Sequence, residues 1–420
     1  MNVLFLCHRI PYPPNKGEKI RALNVLKHLS KSHDVYLGSF VDDADDQQYV
    51  PRIQELVGNR CKILGLSPWL KKARMLKALI TGEPLSTACF YSPLLQKWID
   101  GLLRNGQVDR AVVFGTAMAP YLLNSEHLMS ERVIFDMVDI DSDKWSQYAA
   151  GAKGVLRAIY RREARHLFQL EWKAAQQFRA TLLVSDFEAD AFAALAPEAK
   201  ARIWTARNGV DMNYYAPDNA FANPFQPSEC PIVMTGRMDY RPNTEGGRWF
   251  AEKVLPFVQR SVPNARFYVV GARPPTSLKA LGGENVVITG SVEDIRPYIG
   301  HAAVVVAPLQ MARGVQNKVL EAMSMRKGVV ATTAASRALN IESGKELWVA
   351  DGPESFGKAV VDVVLGRGSK RIAAVAREHI EAYYHWDKNL SVIDDLLADD
   401  SVDGGVHLPD PIRLPVVLAE

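Results

Sequence analysis

The chain of 420 residues is too long for one compact core and fits two domains of ordinary size. Hydrophobic residues make up 48% and charged residues 23%, which is a globular composition, and the net charge of +3 argues against a nucleic-acid-binding protein. No segment reaches the roughly 20 apolar residues that span a bilayer. The four cysteines lack metal-site spacing, so we expect a cytoplasmic chain with reduced thiols.

Short apolar runs alternate with helical patterns along the chain, which is typical of parallel sheets covered by helices. One such helix is predicted over 18–30, where Ala22, Val25, Leu26 and Leu29 repeat on one face. Strands in the first half are predicted over 3–7, 35–40, 61–66, 111–114, 133–137, 181–184 and 203–206. Strands in the second half are predicted over 232–235, 267–270, 286–289, 304–307, 329–332 and 347–350.

The pattern restarts near residue 208, and the proline-rich stretch 216–231 reads as a loop after the restart. We therefore expect an α/β fold of two Rossmann-like parallel-sheet domains facing a cleft. The first covers 1–207 and the second 208–384. Residues 385–400 are predicted to form a last helix, and 401–420 a loosely held tail.

Two predicted helices are basic and amphipathic. Residues 68–80 combine Trp69 and Ile80 with four lysines and arginines, and residues 151–179 combine an apolar stripe with several arginines. Such helices lie on anionic membrane surfaces in some proteins. An ordinary solvated helix face over a core stripe explains the same pattern, and the sequence leaves both interpretations open.

A helix that begins after the strand 304–307 is the clearest candidate for a phosphate site. Its start is predicted near residues 314–316, and the free N–H groups and dipole of a helix start attract anions. Lys318 lies in the first turn and adds a cation, and Glu321 lies one turn on and can accept hydrogen bonds from sugar or ribose hydroxyls. Taken alone, the pair also fits an ordinary surface ion pair.

The run NKVLEAM at 317–323, followed by glycine and VVA, resembles the donor-site helix of family 4 retaining glycosyltransferases, which have the two-lobed GT-B fold. Further segments resemble that family in the same order: RNGVD at 207–211, TGRMDYRPN at 235–243 and TGSVEDI at 289–295. The resemblance spans most of the chain. It implies that the last helix, at 385–400, crosses back onto the first domain.

The resemblance implies a metal-independent hexosyltransferase without a cofactor, whose second domain holds a nucleotide-diphosphate sugar. Gly236 lies in the implied phosphate loop, Arg237 and Lys318 would neutralise the diphosphate, and the backbone at Gly290 would meet the nucleobase. In the first domain, Gly17 would let the backbone approach the phosphates, with Lys16 and Arg21 strengthening the positive field. An ordinary proline-rich turn is the alternative for this loop.

One position departs from the resembled family. Most members carry two glutamates separated by seven residues, and here the second is Glu321 while the first is replaced by Arg313. Either backbone groups around Arg313 and Gly314 hold the sugar, or Arg313 meets an acidic sugar or a phosphate.

Carboxylates crowd the end of the strand 133–137 at Asp136, Asp139, Asp141 and Asp143. Crowded carboxylates usually have a partner or a task. By the resemblance, Asp139 and then Asp141 are the predicted catalytic residues, orienting sugar hydroxyls and the acceptor. Asp139 and Asp141 also resemble a metal-binding pair, and an Asp-rich turn often merely caps a helix; we expect no metal.

The segments 135–145 and 312–323 are similar to glycosyltransferases of exosortase and PEP-CTERM exopolysaccharide clusters. This implies a glycan or polyprenyl-linked acceptor, with the protein peripheral at the inner face of the cytoplasmic membrane and bound to its anionic surface through the basic helices. A sugar-nucleotide epimerase and a non-catalytic nucleotide-sugar-binding protein are the alternatives.

Overall fold

The computed structural model describes residues 1–123, 125–127, 130–217 and 220–398. The predicted tail 401–420 lies outside the described residues. The described chain divides into two compact units, one formed by residues 1–207 with 390–398 and the other by residues 208–389. None of the described helices is long and apolar enough to cross a membrane.

The first unit contains a sheet of seven parallel strands in the order β3-β2-β1-β4-β5-β6-β7. The strands are β1 Asn2–Cys7, β2 Asp34–Val41, β3 Cys61–Gly65, β4 Arg110–Phe114, β5 Val133–Val138, β6 Ala180–Leu183 and β7 Ile203–Thr205. The helices are α1 Gly17–Leu29, α2 Val50–Leu56, α3 Pro68–Thr81, α4 Leu85–Cys89, α5 Pro93–Arg104, α6 Pro120–Leu123, α7 Asp141–Gly151, α8 Gly154–Gln177 and α9 Asp186–Leu195.

The second unit contains a sheet of six parallel strands in the order β10-β9-β8-β11-β12-β13. The strands are β8 Cys230–Thr235, β9 Ala265–Val270, β10 Val286–Gly290, β11 Val304–Ala307, β12 Val329–Ala331 and β13 Trp348–Val349. The helices are α10 Arg241–Trp249, α11 Leu255–Ser261, α12 Thr276–Lys279, α13 Arg296–His301, α14 Asn317–Ser324, α15 Thr333–Ser336, α16 Pro353–Val364 and α17 Ser369–Tyr383. The last helix, α18 Trp386–Ala398, is divided between the two units.

The structure confirms the α/β fold class with two parallel sheets. All thirteen predicted strands form, and their ends move by no more than two residues. The inner strands are buried because helices cover both faces of a parallel sheet, which is why they read as continuous apolar runs. The four edge strands, β3, β7, β10 and β13, are mostly half-buried.

The last helix, α18, contributes its first four residues to the second unit and the rest to the first. In the second unit, the Asn389 side chain donates a hydrogen bond to the Asn208 carbonyl at 2.9 Å. In the first unit, the Asp394 carboxylate lies 2.9 Å from Nε2 of His28 on α1. The helix is therefore anchored at both ends.

In both sheets the strand order reverses beside the first strand, between β1 and β4 and between β8 and β11. In open parallel sheets, ligands bind outside the carboxyl ends of the strands at such a switch point. The loops after β1, β8 and β11 are therefore the places to look for a site.

Arg21 does not extend a positive field toward the Gly17 loop, and that prediction is wrong. Its guanidinium is fully buried and donates to the Asp136 carboxylate at 3.0 to 3.1 Å and to the Ala206 carbonyl at 2.8 Å. Asp136 is likewise fully buried inside β5, so it is a structural partner of Arg21 and no part of the carboxylate cluster that follows the strand.

We expect Arg21→Met to lower the free energy of unfolding by about 3–5 kcal/mol, because the buried Asp136 carboxylate loses its cation. Urea titration followed by circular dichroism measures the change. The double variant Arg21→Met/Asp136→Leu removes both charges and should recover much of the loss. A single variant as stable as the wild type would show that the pair is not needed.

Candidate functional site

Backbone hydrogen bonds of Gly236 and Gly271 join the carboxyl ends of β8, β9 and β10. The Gly236 N–H donates to the Val270 carbonyl and the Gly271 N–H donates to the Gly290 carbonyl, both at 3.1 Å. Gly271 has a φ of +151°, and a Cβ there would lie 1.7 Å from the Gly236 carbonyl oxygen. Only glycine permits this approach. The structure therefore brings Gly236 and Gly290 close together at the carboxyl ends of the strands.

Lys318 lies at the same edge, in the first turn of α14, and only 9% of it is exposed. Its Nζ donates a hydrogen bond to Oδ1 of Asn243, and Nδ2 of Asn243 donates to the Arg237 carbonyl at 2.8 Å. A Cβ on Gly236 would lie 3.1 Å from Nζ of Lys318. Gly236, Arg237, Asn243 and Lys318 therefore form one cluster.

Asn243 was missed as a site residue from the sequence. It belongs to the segment 235–243, but an asparagine in the first turn of a helix gives no sign of a partner 75 residues away. The contact between Asn243 and Lys318 could therefore not be predicted from the sequence.

Burial shifts the pKa values of both charged groups on α14 toward neutrality. It lowers the pKa of Lys318 to about 8, with Glu321 opposing the shift. It raises the pKa of Glu321 to about 7, against a hydrogen bond with Tyr215 and the charge of Lys318. A buried amine and a buried carboxyl that both titrate near neutral pH are common in sites that receive a charged ligand.

Arg237 holds its guanidinium against Asp239. Nε and Nη2 donate to the two carboxylate oxygens at 3.0 and 2.5 Å, and this contact lowers the pKa of Asp239. The Arg237 side chain is partly exposed. An incoming anion would compete with Asp239 for the guanidinium.

Arg313 and Gly314 lie in the loop between β11 and α14. Gly314 has a φ of +61°, and the Gln316 side chain donates to the Arg313 carbonyl at 2.9 Å, which closes the loop onto the helix start. The helix begins at Asn317, slightly later than the predicted 314–316. Arg313 is half-buried where the resembled family has its first glutamate.

A pocket of about 700 Å³ runs along β10, and its lining includes Arg273, Lys279, Gly290 and Ser291. Its volume lies within the range of small-molecule sites. Because Gly290 also pairs with Gly271, the pocket adjoins the edge that carries Gly236.

In the first unit, Asp139 follows a strained turn. Val138 has a φ of +72°, and the Asp139 N–H donates back to the Met137 carbonyl at 3.0 Å. A β-branched residue adopts this conformation at a cost, and such strain is concentrated at functional positions. The turn ends β5 and sets the direction in which Asp139 leaves the sheet.

Asp141 is the first residue of α7 and accepts a hydrogen bond from Lys144 at 2.9 Å. Behind it, the buried Glu171 carboxyl accepts from the Ser142 N–H at 3.0 Å and the Ser142 hydroxyl at 2.5 Å. Burial raises the pKa of Glu171 to about 8, and the Asp141 charge adds to the shift. Glu171 thus fixes the start of α7.

His8 and Arg9, at the end of β1, were missed as site residues. Burial lowers the pKa of His8 to about 4, with Arg9 adding to the shift, and the Asp141 charge acts in the opposite direction. Arg9 bonds to Asp42 at 2.8 Å and to Glu18 at 3.1 Å. Gly17, exposed at the first residue of α1, directly precedes Glu18, so this loop carries charge of both signs.

Among the residues that the structure describes, no group of three or more His, Cys, Asp or Glu side chains is arranged to hold a metal ion.

Residues 229–365 match the family described as glycosyl transferases group 1. This segment covers the edge built from Gly236, Arg237, Asn243, Gly290 and Lys318. The chain is also similar to an uncharacterized 44.6 kDa protein in the cps region of Klebsiella pneumoniae, 24% identical over 179 residues. That match covers 40% of this chain and 46% of the relative's length.

Solved structures share the fold over nearly the whole chain. Anabaena HepE in complex with UDP-glucose is 14% identical with a TM-score of 0.66, and the match covers 94% of this chain and 99% of that one. Sucrose-phosphate synthase from Thermosynechococcus elongatus is 13% identical with a TM-score of 0.65, covering 94% and 98%. WaaG, a glycosyltransferase involved in lipopolysaccharide biosynthesis, is 15% identical with a TM-score of 0.65, covering 94% and 100%.

The second unit therefore contains a segment that matches group 1 glycosyl transferases, and the chain as a whole has the two-sheet GT-B fold.

Proposed function

We propose that this protein is a glycosyltransferase that moves a sugar from a nucleoside-diphosphate donor, bound by the second unit, to a glycan or polyprenyl-linked acceptor, with retention at the anomeric carbon. The observation that carries the proposal is the buried Lys318 amine in the first turn of α14, beside Gly236 and bonded to Asn243. A buried cation at a helix start matches a diphosphate. The HepE complexes with UDP and UDP-glucose support a nucleotide sugar as donor.

In the proposed reaction, the bond between the anomeric carbon and the diphosphate breaks while the acceptor oxygen bonds to the same face of that carbon. The acceptor proton passes to the leaving phosphate oxygen. Lys318 and Arg237 offset the negative charge that grows on the diphosphate. Glu321 accepts hydrogen bonds from hydroxyls of the donor, and Asp139 and Asp141 orient the reacting sugar and the acceptor. No metal or cofactor takes part.

The proposed context is exopolysaccharide assembly of the exosortase and PEP-CTERM type, which rests on the similarity of segments 135–145 and 312–323. A polyprenyl-linked acceptor would place the protein at the inner face of the cytoplasmic membrane. The matches favour neither the epimerase nor the non-catalytic alternative.

Purified protein incubated with a panel of radiolabelled nucleotide sugars tests the reaction. We expect the label to move only when a glycan or polyprenyl-linked acceptor is present. Conversion of the donor without acceptor would identify an epimerase, and retention of unchanged donor would identify a binding protein.

In the same assay, we expect Lys318→Ala and Arg237→Ala to reduce transfer at least about 100-fold, the size of effect seen when one charge-stabilising group is removed. Lys358→Ala removes an exposed lysine of α16 and should leave transfer and fold unchanged. Circular dichroism checks that all three variants fold. Normal turnover in either site variant would remove that residue from the donor site.

Donor binding should weaken as pH rises through about 8, because the buried Lys318 amine then loses its proton. Well above the pKa of Lys318, the affinity for the donor should fall by at most about tenfold per pH unit. Calorimetry with the nucleoside diphosphate that binds best at neutral pH measures this, and the phosphate itself titrates lower, near pH 6. Lys318→Arg carries a charge that does not titrate, so any binding it retains should not vary with pH over this range. A wild-type profile flat to pH 9 would contradict the role of this amine.

We expect Asp139→Asn to lower the turnover number about 100-fold or more with little change in donor affinity, because the carboxylate acts on the reacting sugar and not on the diphosphate. Asp141→Asn should cost less, since Lys144 already holds that carboxylate. Asp143→Asn is the matched control, because its carboxylate accepts from Gln147 on the same helix. A loss confined to donor affinity would reassign Asp139 to donor binding.

A further inference from the structure

Helix α3 in the first unit turns its apolar side outward. Trp69, Leu76 and Ile80 are 73%, 64% and 89% exposed. They are seven and four residues apart, so they share one side of the helix, which we name the α3 ridge. The one buried residue of α3 is Ala78, on the opposite side, where it packs with Leu85 and Ala88.

The charges of α3 are all positive. Lys71, Lys72, Arg74 and Lys77 occur within residues 68–81, and that segment contains no aspartate or glutamate. Lys72 and Lys77 are exposed on the two flanks of the α3 ridge, whereas Lys71 and Arg74 are half-buried on the side of Ala78. Helices of water-soluble proteins place their apolar side inward, whereas α3 turns its larger apolar side outward.

The start of α8 also exposes apolar residues beside basic ones. Val155 is 78% exposed and Leu156 is also exposed, with Arg157 and Arg161 beside them. One turn further along α8, Ile159 packs against the Ala78 cluster.

Two side chains of α8, Arg162 and Glu163, fix it to α3 and α4. Nη2 of Arg162 donates to the Ala78 carbonyl at 2.6 Å, and the buried Glu163 carboxylate accepts from the Leu85 and Ser86 N–H groups at 2.7 and 2.9 Å. The two helices therefore present their exposed apolar and basic residues on a fixed support.

We propose that the α3 ridge and the start of α8 rest on an anionic lipid bilayer. Tryptophan and long aliphatic side chains insert at the boundary between headgroups and acyl chains, and flanking lysines and arginines pair with anionic headgroups. The surface offers both groups together and no acidic residue on α3 to repel the lipid. The proposal concerns the first unit and does not depend on which donor or acceptor is used.

Co-sedimentation of the whole protein with vesicles tests the proposal. We expect binding to vesicles of equal parts phosphatidylglycerol and phosphatidylcholine, weaker binding at high salt, and little binding to pure phosphatidylcholine. Trp69→Ser/Leu76→Ser/Ile80→Ser should weaken binding at least about tenfold by removing the inserted groups. Lys72→Glu/Lys77→Glu should weaken it comparably at low salt by reversing the flanking charge.

The control is Leu94→Ser/Leu195→Ser/Leu365→Ser, which replaces exposed leucines outside α3 and should bind vesicles as the wild type does. Thermal melts confirm that each variant folds, and nucleotide binding by the ridge variant should be unchanged. Vesicle binding that survives the ridge substitutions would overturn the proposal. So would a wild type that ignores vesicles but dimerises through the α3 ridge, since a second copy would then cover it.

Discussion

The proposed donor site depends on one buried cation. Lys318 places its amine at the start of α14, where free backbone N–H groups already make the site positive, and Asn243 is the contact that holds it there. Burial of an ammonium is costly, which is why the pKa of Lys318 falls to about 8 despite the opposing charge of Glu321. In the proposed function, the donor diphosphate adds negative charge beside this amine, and burial strengthens the attraction between the two. The glycines at 236 and 271 let the backbone close around this amine.

The first unit orients its carboxylates through backbone strain and a buried glutamate. Its carboxyl edge holds Asp139 through a strained turn at Val138 and fixes the start of α7 through the buried Glu171. Backbone strain and a buried acid both need a well-packed support, and the Arg21–Asp136 pair inside the sheet supplies part of it. The two units thus share a sheet architecture but differ at the carboxyl ends of their strands, where the second places the amine of Lys318 and the first places Asp139 and Asp141.

The strands could be predicted because a parallel sheet buried on both faces leaves a direct mark, a short apolar run, in the sequence. Lys318 and Glu321 could be singled out because a helix start after such a run is local. Arg21 was misassigned because its partner Asp136 is 115 residues away and nothing local marks the pair. Asn243 and His8 were missed for the same reason: their importance comes from neighbours that only the folded sheet brings to them.

The orientation of α3 shows the limit of periodicity more sharply. An amphipathic pattern shows that a helix has two unlike sides, but not which side meets the core. The sequence therefore left a solvated face and a membrane face as equal alternatives. The structure places Ala78 inward and Trp69 and Ile80 outward, so the core under α3 is small and the larger apolar side has no cover from the described residues of the chain. The exposed apolar side of α3 does not stabilise the fold, because it is not removed from water. Large exposed apolar surfaces mark interaction sites, so we attribute this one to the proposed membrane binding.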